Sequence, residues 1–80
     1  MTRKEPVNLV GARVKIARLR RNPPLTQDEL SGQLAAYGIQ LDRIAISRIE
    51  RGHRYVTDRE VLAFSKVLGV SPAWLLGMEK

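Results

Sequence analysis

The sequence has no cysteine and a single histidine, His53, among its 80 residues. The first absence excludes a disulfide framework, thiolate catalysis and a zinc-finger site. The second excludes a metal centre built on several histidines. A cysteine-free chain fits a reducing compartment, and a cytoplasmic location is expected. No apolar run approaches the roughly 20 residues of a membrane span. Residues 1–6 are polar where a secretion leader would need an apolar stretch. No membrane partner is therefore expected. A chain of this length makes one small domain with little interior to give to a large cofactor. Neither a cofactor nor an enzymatic activity is expected.

What the chain has in excess is positive charge, 14 Lys and Arg against 8 Asp and Glu. The imbalance is local. Arg3, Lys4, Arg13, Lys15, Arg18, Arg20 and Arg21 lie within residues 1–21, opposed only by Glu5, while residues 22–80 are balanced. Most of the basic residues are arginine, whose planar fork suits phosphates and guanine edges. Such a balance points to nucleic acid or an anionic surface; a merely solvated basic face is the alternative.

Between the breaks at Pro23-Pro24, Gly38, Gly52, Gly69 and Gly77 the apolar residues keep a helical period. A first helix is expected over about 9–21, with Asn8 as its cap and Val10, Val14 and Ala17 on its inner face. A second starts at Thr26-Gln27-Asp28-Glu29, a capping box with Leu25 and Leu30 as the staple pair, and reaches about Tyr37. A third follows the cap Asp42, with Ile46 and Ile49 inward and Arg43, Ser47, Arg48 and Arg51 elsewhere. A fourth opens on the capping box Thr57-Asp58-Arg59-Glu60, with Val61, Leu62, Ser65 and Leu68 along one face. A short fifth begins at Ser71-Pro72. The fold class is all-α, with five helices and no sheet.

Three stretches carry a more specific signal. They are Leu25-Thr26-Gln27-Asp28-Glu29-Leu30, Ile46-Ser47-Arg48-Ile49-Glu50-Arg51-Gly52 and Leu68-Gly69-Val70-Ser71-Pro72. In this order and spacing the sequence resembles the Cro/repressor (Xre-type) helix-turn-helix family over about 11–77. The resemblance implies a compact five-helix, lambda-repressor-like domain over 9–77, preceded by a basic arm, 1–8, and followed by a short tail, 78–80. The second helix would brace on the DNA backbone and the third would lie in the major groove. One departure stands out. The connection over 35–41 is longer than the family's short turn, and Ile39 and Leu41 are expected to tuck inward.

Carried over by position, the resemblance implies base contacts from Arg43, Ile44 and Arg48. An arginine there grips guanine O6 and N7, and an isoleucine touches a thymine methyl. The alternatives are solvated arginines and an isoleucine packed on the turn. Gln27 matches a position that meets DNA at the start of the second helix, where its amide either bonds a phosphate or braces a reader side chain. Ser47, Arg51, Arg54 and Arg59 are the remaining candidates for backbone contact. Ser47 has no histidine–acid partner and is not read as a nucleophile. Glu50 has the look of a catalytic acid, but the family pairs this residue with an arginine of the first helix, here Arg18. Trp74 and Leu75 are expected in the core, Leu76 and Met78 in a dimer patch. Arg13, Arg20 and Arg21 are expected to add long-range attraction without specific contacts. The implied function is a sequence-specific regulator of transcription, a repressor binding double-stranded DNA as a homodimer. The rival is an interaction adaptor or antitoxin that uses the same fold to hold a regulatory protein partner.

Overall fold

The structure, a computed structural model, describes residues 5–80. Arg3 and Lys4 of the expected arm lie outside the described residues. Five helices form, with no strand among the described residues: α1 (Gly11–Arg20), α2 (Gln27–Ala35), α3 (Arg43–Glu50), α4 (Asp58–Leu68) and α5 (Pro72–Leu75).

Each of the last four helices starts where its cap residue says it should. Thr26 Oγ1 accepts from the Glu29 amide while the Glu29 carboxylate accepts from the Thr26 amide, and Thr57 and Glu60 repeat the arrangement. The Thr26 backbone amide, helped by its hydroxyl, holds the Glu29 carboxyl below the usual carboxylate range. Asp42 accepts from the Ala45 amide at 2.8 Å and Ser71 from the Trp74 amide at 3.0 Å. These bonds satisfy first-turn amides that have no partner inside the helix.

α1 departs from expectation at its start. It begins at Gly11, and Val10, in the cap position, makes no side-chain bond. The expected cap, Asn8, still serves the helix from further out, its Oδ1 accepting from the Gly11 amide at 2.7 Å. Leu9 consequently lies outside the helix and is exposed.

One core comprises Val10, Val14 and Ala17 of the first segment, Leu25, Leu30 and Leu34 around α2, and Leu41, Ile46 and Ile49 at α3. Ala63, Phe64, Val67, Leu68 and Leu75 close it. Of the expected face of α4, Ser65 and Leu68 are buried and Val61 packs partly buried against the core; Leu62 alone departs, half exposed, while Ala63, Phe64 and Val67 join the buried side. At about 100° per residue, Leu62 sits roughly 160° round the helix from Phe64, which is the side chain that fills the centre.

The long connection between α2 and α3 is ordered by the residues it adds. Gly38 takes a positive φ of 77°, and the Ile39 amide returns to the Leu34 carbonyl at 3.2 Å. Leu41 is buried, and Ser31 Oγ donates to its carbonyl at 2.6 Å. α2 thus does not reach Tyr37; the extra residues form a turn anchored to α2's own flank.

The N-terminal arginines are also more tied down than their charge implied. Arg13 donates to the carbonyls of Trp74 and Glu79 and lies over the Trp74 ring, 4.8 Å from its centre. Arg20 approaches the same ring, and Arg21 donates to the Val67 carbonyl at 3.0 Å. Their guanidiniums hold α1 to the C-terminal helices while keeping their charge.

Candidate nucleic-acid interface

α3 is short, and its two faces differ sharply. Ile46 and Ile49 are wholly buried, three residues apart on the inner side. Arg43, Ile44, Arg48 and Arg51 are exposed, with Ile44 at 63%. Ile44 and Arg51, seven residues apart, stand in line along the outer face, with Ser47 and Arg43 on one flank and Arg48 on the other.

Three arginines on one small surface need their acidic neighbour neutralised. Glu50 sits at the inner edge of α3, where the Arg18 Nε donates to its Oε2 at 2.7 Å and the Nη2 to its Oε1 at 2.9 Å. The two side chains are only 9% and 3% exposed. Arg18 Nη1 donates further to the Leu25 carbonyl, and the Gln27 amide donates to Glu50 Oε1 at 3.0 Å. This fork-on-fork pair with an added amide links α1, the start of α2 and the end of α3. Of the two roles expected for Gln27 the structure shows the bracing one, and the α3 side chain it braces is Glu50 rather than one of the outward residues.

Arg43 lies 3.9 Å from Asp28, both well exposed. Such a pair holds almost nothing, so Arg43 is available to a ligand. Arg59 is exposed at the start of α4. Arg54 is in a different state. Its guanidinium meets the Glu60 carboxylate at 3.1 Å and also donates to the Tyr55 carbonyl. Glu60 thereby serves both the capping box of α4 and the loop before it. The capping box was visible in the sequence; the second use of its carboxylate was not, because nothing in the spacing of Arg54 and Glu60 marks it. Leu76 is partly exposed and Met78 is 79% exposed.

The C-terminal end of α3 closes with a Schellman motif. Gly52, at φ 77°, donates to the Ile49 carbonyl at 2.9 Å, and the His53 amide donates to the Arg48 carbonyl at 2.8 Å.

A buried helix pair in which the second member carries a short aliphatic inner face and an arginine-rich outer one is the arrangement of a DNA reader. The model of the family described as helix-turn-helix matches residues 16–75. The chain belongs to the Cro/repressor-type helix-turn-helix family. The match spans α2 and α3 whole, and the chain is a DNA-binding domain of the regulator type. No curated protein and no solved structure matches it. None of the described helices is long and apolar enough to cross a membrane.

Proposed function

We propose that this protein is a sequence-specific repressor of transcription that binds a palindromic operator as a homodimer. The observation that carries the reading is the outer face of α3, where Arg43, Ile44, Arg48 and Arg51 are exposed while the neighbouring Glu50 is neutralised internally by Arg18. Arg43 and Arg48 read guanines, Ile44 meets a thymine methyl, and Ser47, Arg51 and Arg59 hold the phosphates. Gln27 acts through the Glu50 network. Arg54, engaged by Glu60, is left out of the DNA-facing set. Occupying the operator would itself block access to it.

Selection from random duplexes is the direct test. It should return a palindrome with half-sites one helical turn apart, about 34–36 Å. Arg48→Ala should relax one position per half-site at a cost of about 1–3 kcal/mol, while leaving other positions read. Uniform weak binding to every duplex would overturn the proposal.

The dimer has a candidate surface. Val7, Leu9, Tyr55, Val61 and Leu76 line an open apolar groove, with Leu9 and Tyr55 each 77% exposed. A second copy is the occupant the palindrome requires, since two-fold DNA matches a self-complementary patch. Leu76→Glu is expected to weaken self-association at least tenfold in sedimentation while hardly changing the melting temperature. An unmodified protein that stays monomeric on a full operator would remove the homodimer and favour a different protein on this groove, as in the antitoxin reading.

A further inference from the structure

The segment just before α1 makes polar contacts that the fold alone does not require. Glu5, Pro6 and Val7 are exposed, so little apolar area holds them. Yet the Val7 amide donates to the Gly52 carbonyl at 2.9 Å. The Asn8 Nδ2 donates to the Arg54 carbonyl at 2.8 Å and to the Ile49 carbonyl at 3.1 Å. All three acceptors lie at the end of the reader helix or in the loop behind it. The remaining polar atom of the Asn8 side chain, Oδ1, accepts from Gly11 at the start of α1. One asparagine therefore bridges the first turn of α1 to both sides of the Schellman turn that ends α3.

The same segment walls the reader's arginines. Glu5, Pro6 and Val7 face Arg48, Arg51, Gly52 and His53 across an open cleft of about 370 Å³. A side chain at Gly52 would strike Pro6, its Cβ falling 2.7 Å from the proline Cβ. The approach is thus close enough to confine the backbone from which Arg48 and Arg51 project.

We propose that Asn8, with the Val7 amide, is a positioning clip for DNA readout: it sets the C-terminal end of α3 and so the aim of Arg48. The proposal rests on the DNA-reading role of α3. Base discrimination depends on placing an arginine fork within hydrogen-bond distance of two acceptors on a guanine, so a small change of backbone aim is felt more in specificity than in total affinity. Phosphate contacts, being largely electrostatic, tolerate the same change.

The test compares affinity for the selected operator with affinity for a scrambled duplex at one salt concentration. Asn8→Ser retains an oxygen to receive the Gly11 amide but cannot reach both carbonyls. Asn8→Asp retains the shape and the acceptor and loses both donors; its added charge weakens both duplexes alike, so the ratio isolates geometry. Both variants are expected to lower the operator-to-scrambled ratio by about tenfold, within the range of one lost bidentate base contact. A variant that melts at a lower temperature but keeps the full ratio would overturn the clip, leaving Asn8 a cap and nothing more. The two failures differ: if the unmodified protein does not discriminate between the duplexes, the DNA reading falls and the clip with it, whereas discrimination retained by both variants sinks the clip alone.

Discussion

Replacing Glu50 with alanine is expected to destabilise the domain by about 3–5 kcal/mol, because it strands a buried arginine. Arg18 would keep one bond, to the Leu25 carbonyl, and lose both to the carboxylate. The Gln27 amide would lose its acceptor as well. For a domain of this size the loss corresponds to roughly 10 °C or more in melting temperature. Arg43→Ala is the matched surface change, removing a 3.9 Å pair between two well-exposed groups, and should stay within about 0.5 kcal/mol. Thermal melts of the two variants side by side decide the matter. Equal and negligible shifts would mean that the network does not hold α1 to the reader.

Gly11→Ala makes the second large effect, and its sign runs against helix propensity. Alanine is ordinarily better than glycine inside a helix by about 1 kcal/mol. Here an added Cβ would fall 2.0 Å from the Ile49 carbonyl oxygen. The obstacle is backbone, so no side chain can swing aside, and α1 must back away from α3. Moving α1 opens the core at Val10, Val14 and Ile49, and the loss is expected to reach about 3 kcal/mol or more. Gly32 supplies the contrast, since nothing lies within 4 Å of its would-be Cβ on the exposed side of α2. Gly32→Ala should therefore gain up to about 1 kcal/mol. Denaturant unfolding of both variants gives the two signs directly. A Gly11→Ala protein as stable as Gly32→Ala would refute the close approach of α1 and α3.

The helix starts were legible because cap chemistry is local. Thr26, Asp42, Thr57 and Ser71 act on amides two or three residues away, and the pattern can be read without knowing the fold. The inner face of α3 was legible for the same reason. What could not be read were the contacts between residues far apart in the chain, made by side chains that look like surface. Asn8 has the local look of a helix cap, and its reach to Ile49 and Arg54 depends on how α1 crosses α3. Nothing local to Arg13 marks its bonds to Trp74 and Glu79, which exist only because α5 returns beside α1. On α4 only Leu62 departs from the expected face: Val61 and Leu62 are both aliphatic and adjacent, and the periodicity alone does not weigh Leu62 against Phe64.

The brevity of the reader has a consequence beyond its aim. α3 has eight residues, well under the roughly 12–15 at which an isolated helix begins to hold its shape in water. A peptide of residues 43–50 would carry Arg43, Ile44 and Arg48 and yet be largely a coil. Arg43, Ile44 and Arg48 keep their arrangement only through the other elements that hold α3. Occupancy of DNA and integrity of the domain are in that sense one equilibrium: whatever loosens α1 or empties the core also disorders α3, and bound DNA in turn holds the domain folded.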